Sequence, residues 1–366
     1  MNKQSFKNNL RPVIYNIEQY TAGKSIQEIA DKYNINPKQI IKLGSNENVI
    51  GSSPLAQKAI SNIVKKINLY PEVTSDSLRN KLKKIHRLKN SSVFIGNGMD
   101  QIFEMLARLF LNNGDETIIS TPTFSCYELV TLWTGARPRL IPLNENFQLD
   151  TKLILKTINK KTKIIFICSP NNPTGNLINE KDIIEIITKT DKIVFLDEAY
   201  IEFSPGKSLV HLVDKYPNLI IGRTFSKIFG LAGLRVGYAF INNLFANYYL
   251  NSITPFVVSK LGQVAGFAAL DDKKFIQKSI SLVTKGKKQL YKGFSDLGIK
   301  YLKSDANFIA INTGERTKEI TQKLMQKGII VRDCTRFRER GKNLIRITIG
   351  TETQNKKVLQ ELKKII

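Results

Sequence analysis

Lys227 stands in the run Thr224-Phe225-Ser226-Lys227, eight residues before Arg235. Upstream, Asn172 lies in Asn171-Asn172-Pro173-Thr174-Gly175, and Asp197 and Tyr200 lie in Asp197-Glu198-Ala199-Tyr200. An amine, a carboxylate, a phenol, an amide and a guanidinium in this order suit the capture of an aldehyde on an aromatic ring. Pyridoxal phosphate is the cofactor that needs such a set. Lys227 is the candidate for the Schiff base and for moving a proton once it is released. Asp197 is the candidate for keeping the ring nitrogen protonated, with Tyr200 and Asn172 reaching the ring oxygen.

A phosphate needs a cradle of its own, and two segments offer one. Thr224 and Ser226 bring hydroxyls, and Arg235 brings a fork that matches phosphate geometry. Gly96-Asn97-Gly98-Met99-Asp100-Gln101 follows the short strand pattern Val93-Phe94-Ile95 and opens a helical stripe of Ile102, Phe103, Met105, Leu106 and Leu109. A helix that starts near Gly98, Met99 and Asp100 presents free N–H groups to an anion. The stretch lacks the third glycine of a dinucleotide fingerprint, which argues against that alternative. Taken singly, each motif has an ordinary reading: a solvated Ser-Lys loop, a capping turn, a plain Asn-Pro turn. Their order, each at the end of a predicted strand, is what points to a ligand site.

Those strands fall near 93–95, 116–120, 164–168, 193–197, 219–224 and 236–240, alternating with helical patterns such as 99–111 and 179–189. Near-continuous apolar runs, Ile193-Val194-Phe195-Leu196 among them, predict a mostly parallel sheet covered on both faces. After Thr254-Pro255-Phe256 the pattern turns helical to about 294, then gives strands near 307–311 and 344–349 and a last amphipathic helix from about 353. This divides the chain into a large domain, 45–255, and a smaller α/β domain built from 1–44 and 256–366.

As a combination, the segments resemble the histidinol-phosphate aminotransferase family of fold-type I pyridoxal-phosphate enzymes. The likeness runs from Leu43-Gly44-Ser45-Asn46-Glu47-Asn48 through Tyr70-Pro71, Gly98-Met99-Asp100, Pro122-Thr123-Phe124 and the lysine segment to Leu344-Ile345-Arg346-Ile347-Thr348. It implies a large domain with a mostly parallel seven-stranded sheet flanked by helices. It further implies that Phe124 stacks on the cofactor ring, where many relatives have tyrosine. Tyr70 would reach the cofactor phosphate of the neighbouring subunit, making the protein a homodimer. Arg346 would grip the acidic end of the substrate, with Arg332, Tyr20 and Asn307 beside it. The implied reaction is transfer of an amino group between L-histidinol phosphate and 2-oxoglutarate, in histidine biosynthesis. Two other activities use the same scaffold: an aromatic amino-acid aminotransferase and a threonine-phosphate decarboxylase. Departures from the family pattern sit at Val49-Ile50-Gly51 and in the basic stretch Thr335-Arg336-Phe337-Arg338-Glu339-Arg340-Gly341.

Composition fits an enzyme with a sizeable core: 366 residues, 42% hydrophobic. No apolar run of membrane-spanning length and no secretory pattern at Met1-Asn2-Lys3 are present, so the expected compartment is the cytoplasm. Three scattered cysteines, Cys126, Cys168 and Cys334, with only His86 and His211, give no metal-site spacing. His86 is expected to decorate an amphipathic helix. The net charge of +25 raises a non-catalytic nucleic-acid binder as a remote alternative. The cations are spread along the chain without an aromatic stacking platform or a recognisable module, so the expectation is no nucleic-acid partner.

Overall fold

A computed structural model describes residues 9–19 and 22–366. Its strands, in chain order, are β1 (Ile41–Lys42), β2 (Ser91–Asn97), β3 (Glu116–Thr121), β4 (Arg137–Pro142), β5 (Thr162–Cys168), β6 (Ile193–Asp197) and β7 (Leu219–Thr224). They continue with β8 (Val236–Asn242), β9 (Lys300–Tyr301), β10 (Phe308–Asn312), β11 (Ile329–Ile330), β12 (Arg332–Asp333) and β13 (Leu344–Thr348).

Seven of them form the central sheet in the order β2-β8-β7-β6-β5-β3-β4. Only β8 runs against its neighbours, pairing antiparallel with both β2 and β7. The mostly parallel seven-stranded sheet is therefore the observed one. The apolar runs are explained by alternation between two cores. Ile165, Ile167, Val194 and Leu196 face one, while Ile164, Phe166, Ile193 and Phe195 face the other. Each such side chain contributes about 1.5–3 kcal/mol when fully buried, so both faces drive the sheet together.

One strand of the central sheet escaped the sequence reading, as did the two-residue strands β1, β9, β11 and β12 outside it. β4 is the sheet edge, with exposed Arg137 and Arg139 and a proline near each end, Pro138 and Pro142. Proline removes ladder donors and charges blunt an edge, so an edge strand carries little of the usual signal.

The C-terminal third forms an antiparallel sheet, β12-β13-β10-β9, and β1 pairs in parallel with β11, tying residues 41–42 to 329–330. The helix Lys273–Asp296 buries Phe275, Ser279, Val283, Gly286, Leu290 and Phe294, a stripe at helical spacing. The helix Lys260–Ala269 packs against Pro54–Ile63 and Asp76–His86. The last helix, Glu352–Ile365, starts with a capping box made by Thr351 and Gln354.

His86 lies on the expected amphipathic helix, Asp76–His86, but on its inward side. It is half-buried with its ring edge-on to Phe240 at 4.8 Å. Burial, helped by the Arg223 charge, holds its pKa down to about 4.

Candidate active site

The carboxyl ends of β2, β3, β5, β6 and β7 and the start of β8 meet along one edge of the sheet, since Asn97 pairs with Val236 and Thr224 with Gly237. Open parallel sheets place ligands at this edge because the loops diverge there and leave a crevice. A cavity of about 430 Å³ occupies it. Its walls include Met99, Asp100, Phe124, Asn172, Asp197, Tyr200, Thr224, Ser226, Lys227, Arg235, Arg332 and Arg346. Twelve residues from eight separate stretches of sequence thus converge on one space.

Asp197 ends β6 and is buried. Its Oδ2 accepts from the Tyr127 hydroxyl at 2.7 Å and its Oδ1 from the Ala199 N–H at 2.9 Å. Burial lifts its pKa to about 6, and these two donors oppose the rise. Tyr127 is fully enclosed, stacked on Phe166 at 4.9 Å and edge-on to Phe103 at 5.1 Å. Sequence reading missed it, because a phenol on the apolar face of a helix looks like core.

Lys227 follows β7 with its Nζ donating to the Ser45 carbonyl at 3.2 Å and lying 5.7 Å from the centre of the Tyr200 ring. Burial lowers its pKa to about 8, and the charges of Arg346 and Arg235 push the same way. A depressed amine pKa leaves more of the neutral, nucleophilic form near neutral pH. The lysine loop is seated on residues 48–53. Asn48 Nδ2 donates to the Ile228 carbonyl at 3.0 Å, and the Ser53 N–H donates to the Phe229 carbonyl at 3.2 Å. Gly230 has φ +67°, and a Cβ there would lie 2.0 Å from the Gly51 carbonyl oxygen, so only glycine permits this approach.

Arg235 Nη2 pairs with Asp100 Oδ2 at 3.2 Å, and its Nη1 donates to the Ala232 carbonyl at 3.2 Å. It lies over the start of the helix Gly98–Phe110, and a Cβ on Gly98 would be 2.4 Å from Arg235 Nη2. The Thr224 and Ser226 hydroxyls are buried in the same wall. This end of the cavity gathers a guanidinium, two hydroxyls and free helix N–H groups, the donor set of a phosphate site.

Opposite, Arg346 on β13 is buried, with Nη2 donating to the Gly44 carbonyl at 2.8 Å and Nη1 to Asn172 Oδ1. Its Cα partners in the sheet are Arg332 and Ala310. Tyr200 accepts at its hydroxyl from Asn46 Nδ2 at 3.1 Å, and burial pushes the phenol pKa well up. Asn46, with φ +54°, also takes a hydrogen bond from Thr348 Oγ1 at 3.2 Å. Segment 44–48 therefore touches the arginine, the phenol and the lysine together, a role its polar turn composition did not reveal.

Two expected residues stand outside the cavity lining, and a third lies outside the described residues. Asn307 is buried behind the wall, its Nδ2 donating to the Asn46 carbonyl at 3.1 Å. Tyr70 is 80% exposed, stacked on Phe256 at 4.6 Å, and does not line the cavity. Tyr20 lies outside the described residues. Among the described residues, no cluster of three or more His, Cys, Asp or Glu side chains could hold a metal, and no helix is long and apolar enough to cross a membrane.

Comparison with known proteins bears on this geometry. The family model for aminotransferase class I and II matches residues 38–362. The chain is 44% identical to a histidinol-phosphate aminotransferase from Methanosarcina mazei over 353 residues, covering 96% of this chain and 95% of that one. It is 42% identical to one from Methanococcoides burtonii, covering 97% and 98%. Among solved structures, the histidinol-phosphate aminotransferase of Clostridium acetobutylicum superposes with a TM-score of 0.83 at 26% identity, covering 89% of this chain and 99% of that one. The Sinorhizobium meliloti enzyme, solved in complex with pyridoxal-5'-phosphate, gives 0.88 at 21% identity, covering 98% and 97%.

Proposed function

The chain belongs to the class I and II aminotransferases, and within them to the histidinol-phosphate aminotransferases, and from the cavity over Lys227 we propose how it works and on what. The cofactor is pyridoxal phosphate. The fit rests on two sets of groups: the Arg235, Thr224, Ser226 and Gly98 donor set suits its phosphate, and buried Asp197, near pKa 6, suits its ring nitrogen. When bound, this cofactor supplies an electron sink that makes removal of a proton from the donor carbon feasible.

The residues then divide the work. Lys227 is the covalent attachment point and, once displaced by the donor amine, the group that lifts a proton from one carbon and returns it to another. Its pKa near 8 leaves the amine able to hold and to release that proton at working pH. Asp197 keeps the pyridine nitrogen protonated, and Tyr127 keeps Asp197 ionised. Tyr200 and Asn172 orient the ring through its oxygen, and Phe124 covers one face of it. Arg346, fixed by Gly44 and Asn172, receives the acidic end of each substrate, with Arg332 beside it.

The single observation that carries this reading is the placement, in one cavity, of an amine with a lowered pKa, a buried carboxylate with a raised one, and a guanidinium locked by two acceptors. The amino donor is L-histidinol phosphate and the acceptor 2-oxoglutarate, in a cytoplasmic enzyme of histidine biosynthesis. A homodimer with shared sites is supported by an exposed apolar face at Ile67, Leu69, Tyr70, Val73 and Phe256, next to the loop that carries Tyr70.

Two experiments test this. Borohydride treatment of the cofactor-loaded protein followed by peptide mapping should place the label on Lys227; a label on another residue removes the assignment. Amine-donor profiling with 2-oxoglutarate should give histidinol phosphate the highest kcat/KM. A preference of about tenfold or more for phenylalanine would replace the substrate.

A further inference from the structure

Asn46 and Tyr200 both line the catalytic cavity, and the direction of the hydrogen bond between them follows from their surroundings. Asn46 is buried and holds φ +54°, a left-handed backbone that asparagine tolerates better than most residues. Both of its main-chain polar groups are engaged: its N–H donates to Thr348 Oγ1 at 2.9 Å, and its carbonyl accepts from Asn307 Nδ2 at 3.1 Å. These partners are fixed in turn. The Thr348 N–H donates to the Leu43 carbonyl at 2.8 Å, and the Ile349 N–H donates to the Asn307 carbonyl at 2.9 Å. The amide of Asn46 therefore projects from a clamped backbone.

The Thr348 hydroxyl decides which way that amide faces. A hydroxyl has a single proton. Its oxygen accepts from the Asn46 N–H, and its proton goes to Asn46 Oδ1 at 3.2 Å. Nδ2 is thereby turned to Tyr200, whose oxygen accepts from it at 3.1 Å. With the amide reversed, Nδ2 would face a hydroxyl that already accepts, the Thr348 proton would lose Oδ1, and Tyr200 would give its own proton to Oδ1. In the observed orientation Tyr200 keeps its proton for a partner on the cavity side. Burial pushes the phenol pKa well up, so that proton is present at any working pH.

We propose that Asn46 is a positioning residue of the transamination: by donating to the Tyr200 hydroxyl it reserves the phenol's proton for the ring oxygen of the cofactor. Thr348 enforces that direction, and Asn307 holds the backbone from which the amide projects. The inference rests on the assignment of Tyr200 to the ring oxygen made above, and adds the group that gives this contact its polarity. A donor to the ring oxygen stabilises its anion, so the direction of the proton bears on both the affinity and the absorbance of bound cofactor.

Asn46→Asp tests this, because the carboxylate keeps the shape and tolerates the left-handed backbone but offers only acceptors, which draws the Tyr200 proton away from the cavity. A double-mutant cycle with Tyr200→Phe separates that reversal from the added charge, since the charge acts in both backgrounds and the phenol proton in only one. When pyridoxal phosphate is titrated into cofactor-free protein, Asn46→Asp should weaken binding by about tenfold more in the parent than in the Tyr200→Phe background. The pH midpoint of the bound cofactor's visible absorbance should likewise rise by about one unit more. Thr348→Val adds no charge and frees the amide to turn, and it should show the same coupling at about threefold. Equal effects in the two backgrounds, from either variant with parental circular dichroism, overturn the inference by marking the role of Asn46 as structural only. A parent that binds no pyridoxal phosphate, or a Tyr200→Phe variant with unchanged affinity and absorbance, would instead overturn the reading beneath it, so the two failures are distinguishable.

Discussion

Removing one hydroxyl, in Tyr127→Phe, should change the pH at which the protein takes up its cofactor. The ring would keep its stack on Phe166 and its edge contact with Phe103, so the change deletes the 2.7 Å hydrogen bond to Asp197 and little else. A hydrogen bond to a charged acceptor contributes about 1.5–3 kcal/mol. At 1.36 kcal/mol per pK unit this raises the Asp197 pKa by about 1–2 units, from about 6 to about 7–8. The cofactor needs the ionised carboxylate. At pH 7 the ionised fraction falls from about nine-tenths to between about one-tenth and one-half, weakening affinity about 2- to 10-fold. At pH 6 the deficit grows to about 5- to 50-fold, and near pH 9 it nearly vanishes because both proteins are ionised. Titrating cofactor-free protein with pyridoxal phosphate at the three pH values reads this directly. A deficit that is the same at all three, or absent at pH 6 in a variant with parental circular dichroism, refutes the reasoning.

Arg346→Ala should lower kcat/KM for acid-bearing donors by about 10²–10³-fold while the absorbance of bound cofactor persists, since it removes a forked acid contact and leaves Asn172 and the Gly44 carbonyl unpaired. Tyr70→Ala mixed with Lys227→Ala should regain about a quarter of parental activity, because half of the dimers are hybrids with one intact shared site; no regain in a verified hybrid counts against sharing. Glu202 is half-buried beside Arg223, 3.8 Å away, with a buried Oε2 lacking a partner, and desolvation raises its pKa to about 7. The folded state thus holds this proton more tightly than the unfolded state, and the associated stability is lost as pH rises from about 4.5 through about 7. Glu202→Gln should therefore match the parent at pH 4 and exceed its melting midpoint by about 2 °C at pH 8 in thermal scans; equal midpoints at pH 8 would show that the carboxylate is relieved by other means.

The sequence made the central strands and the lysine wall legible for a physical reason. Strands buried on both faces must be apolar throughout, and ligand groups in such a sheet must follow their carboxyl ends, so Asp197, Asn172 and Lys227 announced themselves by position. β4 did not, because an edge strand is marked by prolines and charges rather than by apolar residues. Tyr127 was hidden by its packing, and Asn46 by a local turn whose partners, Tyr200 and Thr348, lie far along the chain. The basic stretch at 335–341 gave no sign that Arg336 and Arg338 line a cavity with Ile119 of β3 and with Leu129 and Leu132 of the helix Cys126–Trp133. Contacts over such distances leave no local periodicity to read.

The segment from Gly44 to Ser53 has a consequence for how the protein is made. It contacts Arg346 across 302 residues of sequence and Lys227 across 182. At about 5–20 residues per second, a ribosome needs about 15–60 s to travel from Gly44 to Arg346. Through that interval the early residues have emerged, yet the guanidinium that orders them has not been synthesised. The lysine loop is thus made before the arginine that completes its pocket, and a substrate site holding both groups waits for the strand Leu344–Thr348.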